Sequence, residues 1–170
     1  DRIYRLSVET GNKEKNNHWH FARTHQLWRR KFTEFFPEIK QIAELAPSWE
    51  AIIKIGENAF YERGFAIKPE VLNVFDFDFV KGNPETALDQ KHSILLSESV
   101  CKKHFGNANP IGQTLNIDGG YVEKDALYTI TGVFKDFPEA SHFHPKFLTT
   151  YIKPTKGSKM EWAFTYFLLE

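Results

Sequence analysis

Short runs rich in β-branched and aromatic residues recur along almost the whole chain, and each ends at Gly, Pro, Asn or a charged residue. Residues 75–79 alternate Phe with Asp without a break. Residues 51–55 and 59–62 flank the short loop Gly56-Glu57-Asn58. A period of two is typical of a strand, and two apolar runs around a Gly-containing loop are typical of a hairpin. The chain is therefore expected to consist mainly of β-sheet.

The same criteria predict further strands at residues 3–9, 93–96, 113–117, 128–134, 147–152 and 164–169. Residues 64–74 are expected to form one more strand and a turn. Within residues 3–9, Tyr4, Leu6 and Val8 share one face and are expected to be buried. The runs 113–117 and 128–134 are expected to pair antiparallel. Residues 39–46 fit a helix as well as a strand, so their periodicity leaves both possibilities open.

Two segments carry the signals of helices instead. Apolar residues at spacings of three and four between Leu27 and Phe36 predict an amphipathic helix, with Thr24 as N-cap and Pro37 as its end. Ser97 is a second N-cap, before a helix that runs to about His104 and ends at Gly106. Two helices and roughly nine strands indicate the α+β class.

Composition excludes several functions. The chain has 170 residues, with 22 basic and 22 acidic side chains, so its formal charge of zero argues against a nucleic-acid binder. Hydrophobic residues make up 41% and aromatic residues 15%, which indicates a folded core. The single cysteine, Cys101, excludes an internal disulfide and a Cys-rich zinc module. It lies in an apolar helical stripe and is expected to belong to the core.

Membrane and targeting signals are absent from the sequence itself. No apolar run approaches the roughly 18 to 20 residues of a membrane helix, and no leader opens the chain. The chain starts at Asp1 without an initiator Met and stops within the apolar run 162–169. Both ends are therefore expected to continue into a larger protein.

The clearest catalytic motif is Ser99-Val100-Cys101-Lys102, an S-x-x-K sequence of the type that carries an acylating serine. It lacks the S-D-N and K-T-G partners, and Ser99 is better explained as a residue of a first helical turn. No G-x-G-x-x-G or Walker A motif is present. The sequence therefore predicts no catalytic residue and no cofactor, with a hydrolase using Ser99 and Lys102 as a remote alternative.

Four histidines are the candidates for a metal site, in the pairs His18/His20 and His142/His144. Residues i and i+2 of a strand share a face, so the two pairs could meet around Zn²⁺ or Cu²⁺. That site would require two distant, loop-like segments to converge, and the prediction is that they do not form one. Asp76 and Asp78 also share a face, but no third ligand lies near them in sequence. They are expected to be a solvated face.

Three ordered motifs suggest a family: Lys103-His104-Phe105-Gly106, Asn109-Pro110-Ile111-Gly112-Gln113-Thr114-Leu115 and Tyr128-Thr129-Ile130-Thr131-Gly132-Val133-Phe134. Together with the strand and helix start 93–99 and the stretch Lys135-Asp136-Phe137-Pro138, they resemble the periplasmic core domain of MacB-like and FtsX-like ABC transporter permeases. Within that family they are most like Bacteroidetes permeases. Comparable stretches of the family correspond to residues 1–6, 74–77, 81–84, 141–143 and 164–169.

The resemblance implies a fold with two lobes. A discontinuous, Porter-like α+β lobe would comprise residues 1–80 and the return strand 159–170, interrupted by a β-rich, Sabre-like lobe of residues 81–158. The remainder of the Porter-like lobe, with one more helix, would lie outside this sequence. The resemblance also makes residues 39–46 a strand.

The resemblance further implies a non-catalytic domain on the periplasmic side of the bacterial inner membrane. It would transmit conformational change and contact cargo or a periplasmic partner protein. Its partners would be the membrane helices of its own permease, an ABC ATPase subunit or domain, and a second permease in a dimer. The alternative from the residues alone is a metal- or small-ligand-binding extracytoplasmic receptor lobe built on the two histidine pairs.

Overall fold

A computed structural model describes residues 2–12, 14–25, 27–119, 122–123, 126–152 and 162–170. Three helices and twelve strands occur within these ranges. Their order is β1 (Ile3–Arg5), β2 (Val8–Asn12), β3 (Asn17–Phe21), β4 (Thr24–His25), α1 (Leu27–Phe35), β5 (Ile39–Ile55), β6 (Asn58–Ile67), α2 (Val71–Val74), β7 (Phe79–Lys81), β8 (Ser93–Ser97), α3 (Glu98–Phe105), β9 (Thr114–Asp118), β10 (Leu127–Phe134), β11 (Phe147–Thr150) and β12 (Trp162–Leu169).

Ten of these strands form one sheet, with the order β1-β12-β5-β6-β11-β8-β10-β7. β4 pairs with β12, and β9 pairs with both β10 and β5. The pairs β6–β11 and β8–β10 are parallel, and the other pairs are antiparallel. β2 and β3 form a separate antiparallel hairpin. The mixed α/β fold thus has few helices and a large sheet.

An irregularity in the long strand β5 distributes its side chains between two hydrophobic clusters. The pairing register with β6 shifts between Ser48 and Ala51. One extra residue in a strand moves all later side chains to the opposite face. Ala43 therefore packs into a different cluster from Ala51, although both have odd numbers. One continuous strand consequently serves two layers of core.

The centre of the sheet is buried on both faces. Every residue of β8 is buried, with Leu95 in one cluster and Ile94 and Leu96 in the other. Opposite it, a Cβ on Gly132 would lie 2.9 Å from Leu95 Cδ2, and the β8–β10 register shifts between Ile130 and Gly132. The register shift and the absence of a side chain at Gly132 therefore form a β-bulge that allows close packing at the centre of the sheet.

Most predicted elements are confirmed. Residues 39–46 belong to β5, the hairpin around Gly56 joins β5 to β6, and β9 and β10 pair antiparallel. Helix α3 begins after Ser97, whose Oγ accepts a hydrogen bond from the Val100 N–H at 3.4 Å. It ends at Gly106, which has a φ of 56°. Between the predicted strands 147–152 and 164–169 the sequence predicts a loop at residues 153–159, which lie outside the described residues.

The single strand predicted over residues 3–9 was wrong. β1 pairs with β12, whereas β2 turns away to pair with β3. An alternating pattern does not encode the identity of a strand's partner, so it runs unbroken across a change of partner. β1 is also an edge strand, and Tyr4 is 55% exposed instead of buried. Leu6 and Val8 are half-buried.

Three boundaries also differ from prediction. Thr24 is a buried residue of β4 and not an N-cap, and its Oγ1 lies 2.8 Å from Thr165 Oγ1. The run 64–74 divides into the end of β6 and the short helix α2. Residues 75–78 alternate faces as predicted, but ladder pairing begins only at Phe79 because β7 meets β10 there.

Candidate functional site

Ser99, the residue of the S-x-x-K motif, is bound to Asp136 and Lys146. Its Oγ donates to Asp136 Oδ1 at 2.6 Å, and its N–H donates to Asp136 Oδ2 at 2.8 Å. Lys146 Nζ donates to Ser99 Oγ at 3.0 Å and to Asp136 Oδ1 at 2.7 Å. Ser97 Oγ lies 3.1 Å from Ser99 Oγ. We refer to Ser97, Ser99, Asp136 and Lys146 as the serine–aspartate–lysine cluster.

The cluster has the geometry of a structural connection. Lys102, the predicted partner of Ser99, is exposed and makes none of these contacts. Burial would raise the pKa of Asp136, but hydrogen bonds from Lys146 and Ser99 outweigh it and hold that pKa below its ordinary value. Such a carboxylate is a weak base toward a serine proton. The cluster instead fixes the start of α3 to the segments after β10 and before β11.

The four candidate histidines occupy two different environments. His18, on β3, has Nε2 3.3 Å from Glu9 Oε2 on β2. His142 lies before β11, with Nε2 2.7 Å from Tyr166 Oη, while His20 and His144 are exposed. Among the described residues, no group of three or more His, Cys, Asp or Glu side chains could hold a metal ion.

Three other residues singled out from the sequence are Cys101, Asp76 and Asp78. Cys101 is buried on α3, and burial raises the pKa of its thiol to about 11 against an opposing effect of Lys81. It is therefore a poor nucleophile near neutral pH. Asp76 and Asp78 are exposed, and Asp78 Oδ2 pairs with Lys135 Nζ at 2.6 Å.

A surface cavity of about 200 Å³ brings together residues from five separate segments. We call it the arginine–aromatic cavity, and its characteristic side chains are Arg5, Arg63, Phe65, Phe143, His144 and Tyr166. The sequence singled out His142 and His144 only as metal ligands and gave no signal for the arginines. Arg5 lies on β1 and Arg63 on β6. These strands are far apart in sequence, and only the order of strands in the sheet brings them to the same cavity.

One wall of the cavity is a polar chain that starts at β1. Arg5 pairs in register with Tyr166 and hydrogen-bonds its side chain. Burial raises the pKa of Tyr166, and the Arg5 charge opposes that shift. Burial, followed by the charges of Arg5 and His144, lowers the pKa of His142. His142 is thereby kept neutral near pH 7, and its Nε2 can accept a hydrogen bond from the Tyr166 hydroxyl.

The fold and these clusters define a sheet-rich mixed α/β domain in which Ser99, His18 and His142 contact other side chains of the domain. A family model, the MacB-like periplasmic core domain, matches residues 1–164. The chain belongs to this family, the periplasmic domains of MacB/FtsX-like ABC transporter permeases. Such domains are generally non-catalytic, and the permeases that carry them work with ATPase subunits.

Solved structures agree with this assignment at the level of the fold. A domain of a protein assigned as a permease in Porphyromonas gingivalis has a TM-score of 0.75 at 18% identity, covering 100% of this chain and 73% of that one. The periplasmic region of MacB from Actinobacillus actinomycetemcomitans has a TM-score of 0.67 at 15% identity, covering 99% and 75%. The extracellular domain of the ABC-type transporter YknZ from Gram-positive bacteria has a TM-score of 0.68 at 13% identity, covering 99% and 83%.

No curated protein is significantly similar to this chain in sequence. None of the helices in the described part of the chain has the length and apolar character needed to span a membrane.

Proposed function

We propose that this domain transmits conformational change on the periplasmic side of the inner membrane and contacts cargo or a periplasmic partner protein, without catalysis of its own. The movement would originate in an ABC ATPase subunit or domain, pass through the membrane helices of the same permease, and act within a permease dimer. The observation that carries this proposal is the uninterrupted hydrogen-bonded order of strands from β1 to β7. A displacement of β1 is therefore passed to the whole sheet.

We also propose that the domain has two lobes, residues 1–80 with 159–170, and residues 81–158. The order of strands supports this division. β1, β12, β5 and β6 are consecutive in the sheet and belong to the first set, while β11, β8 and β10 follow and belong to the second. β7 (Phe79–Lys81) lies at the boundary.

The contacts between the proposed lobes favour small, concerted movement over free rotation. β6 pairs with β11 over four residues of each strand, and β5 pairs with β9 from Ile52 to Lys54. A Cβ on Gly64 would collide with the backbone oxygen of Phe147, so the two strand backbones are packed closely there. Large rotation would break these ladders.

The test introduces a charged side chain at residue 6, directly after β1, in the full transporter. Leu6 is half-buried and its N–H donates to Thr165 O at 2.8 Å, whereas the adjacent Ser7 is exposed. Leu6→Asp should loosen β1 by placing a carboxylate against apolar surface, and Ser7→Asp is the matched control with the same added charge.

The measurement is the nucleotide-driven change in distance between spin labels at Glu57, which is exposed, in the two subunits of the dimer. We expect this change in the native transporter and in Ser7→Asp, and a strong reduction in Leu6→Asp while ATP binding is retained. A full distance change in a correctly inserted Leu6→Asp transporter would refute transmission through β1.

A further inference from the structure

The arginine–aromatic cavity has an apolar base made largely of aromatic rings. Phe65 and Tyr166 are buried, and Phe143 and Phe164 are half-buried. The ring of Phe65 lies 5.6 Å from that of Phe143 and 6.1 Å from that of Phe164, both edge to face. Phe65, Phe143, Phe164 and Tyr166 all line the cavity, and aromatic rings pack favourably against one another. The cavity therefore offers an apolar surface that would suit a planar group.

The polar part of the lining is basic. Arg5 and Arg63 both line the cavity, with His142 and His144 beside them. No Asp or Glu is among the described residues that line it. The ion pairs formed between described residues also leave out both arginines. An anion in the cavity would thus meet two guanidinium groups that have no competing carboxylate among the described residues.

The dimensions restrict the size of that anion. A cavity of about 150 Å³ is enough for benzene, so the volume of about 200 Å³ here accommodates one ring with a short polar substituent. Guanidinium groups bind carboxylates through paired hydrogen bonds, which makes a carboxylate well matched to Arg5 and Arg63.

A second, more open cavity adjoins the first. It has a volume of about 970 Å³ and shares Arg5, His142 and Tyr166 with the arginine–aromatic cavity. Arg2 adds a further cation to its lining, and Ile3, Phe75 and Leu168 add apolar surface. The basic and apolar side chains around the shared wall would therefore attract a negatively charged amphipathic molecule.

From these observations we propose that the arginine–aromatic cavity is a binding site for a small organic acid with a carboxylate attached to a single aromatic ring. The carboxylate binds Arg5 and Arg63, and the ring packs against the Phe65, Phe143 and Tyr166 side chains. This binding activity goes beyond the proposed mechanical function and does not depend on it.

The test measures binding of 3-phenylpropionate to the full-length permease in detergent by isothermal titration calorimetry. Two matched probes separate the contributions of the carboxylate and the aromatic ring to binding. 3-Phenylpropan-1-ol keeps the ring without the charge, and acetate keeps the carboxylate without the ring. We expect 3-phenylpropionate to bind at least about tenfold more tightly than either probe. Arg63→Gln should weaken its binding by at least about tenfold.

Arg23→Gln is the control for the loss of a positive charge, because Arg23 is exposed and lines neither cavity. It should leave binding unchanged. Arg5→Gln is the second test variant, so the result does not depend on the folding of Arg63→Gln alone. The proposal is overturned if the alcohol binds as tightly as the acid, if both arginine variants retain native affinity, or if no binding occurs up to about 10 mM acid.

Discussion

Two groups of charged side chains lie next to each other in this domain and differ in one respect. In the serine–aspartate–lysine cluster, Lys146 meets the carboxylate of Asp136 at 2.7 Å. Two residues earlier, His144 lines the arginine–aromatic cavity, where Arg5 and Arg63 meet no carboxylate of the described residues. In the first group the donors and acceptors pair with one another. The second combines two arginines with open volume, and no Asp or Glu is among the described residues that line it.

The difference separates structural polar groups from those able to bind a ligand. A cluster whose donors and acceptors satisfy one another gains nothing from a further molecule. A cavity whose cations are balanced only by solvent gains from an anion that also covers its aromatic base. Ser99, which lies in a sequence motif typical of a catalytic serine, belongs to the first group. Arg5 and Arg63, which no sequence motif indicated, belong to the second.

The largest effect on stability is expected from removing the Asp136 carboxylate from the serine–aspartate–lysine cluster. Asp136→Ala deletes the acceptor of the Ser99 N–H, the Ser99 hydroxyl and Lys146. After allowance for the partial exposure of Asp136 and Lys146, we expect a loss of about 1–2 kcal/mol in the free energy of unfolding. Urea unfolding of the native and variant domains measures it. Asp78→Ala, which breaks the exposed pair with Lys135, is the control and should have no measurable effect.

The same substitution should expose Cys101 to alkylation. This thiol is buried on α3, whose start is held by the cluster, and burial raises its pKa to about 11. We expect very slow reaction with iodoacetamide in the native domain and a several-fold faster reaction in Asp136→Ala, measured by mass spectrometry. Equal rates in the two proteins would mean that the cluster does not restrain α3.

Acid should weaken the cluster in a defined direction. The folded pKa of Asp136 lies below its ordinary value of 3.8, so its stabilisation is complete above that pH and is lost as the pH falls through the folded pKa. The native domain should therefore exceed Asp136→Asn in free energy of unfolding by more at about pH 6 than at about pH 3. A difference that is constant across this range would contradict the assigned charge on Asp136.

The smallest effect on stability is expected from replacing Arg63 in the arginine–aromatic cavity. Arg63 is exposed and makes no ion pair with a described residue, so Arg63→Gln should leave the free energy of unfolding nearly unchanged without ligand. Thermal unfolding of the variant and the native domain tests this. A marked destabilisation would place Arg63 with the structural groups and weaken the contrast with Asp136.

Local patterns predicted much of the secondary structure because the information is local. Ser97 and Gly106 bound α3 through hydrogen bonding and a positive φ, which need only neighbouring residues. The strand patterns likewise place Phe77 inside and Asp78 outside. The local patterns did not predict which strands pair with each other. Residues 3–9 form one alternating run, yet they supply two strands that belong to different sheets.

The sequence by itself determined the sheet-rich character of the chain, the ends of α3, the family, and the absence of an S-x-x-K partner set. Tertiary structure alone decided that Ser99 contacts Asp136 and Lys146, 37 and 47 residues away. It also decided that Arg5 and Arg63 line one cavity. The physical reason is that side chains from β1, β6 and β12 become neighbours only after the sheet has set their order and register, and no local preference of the chain encodes that order.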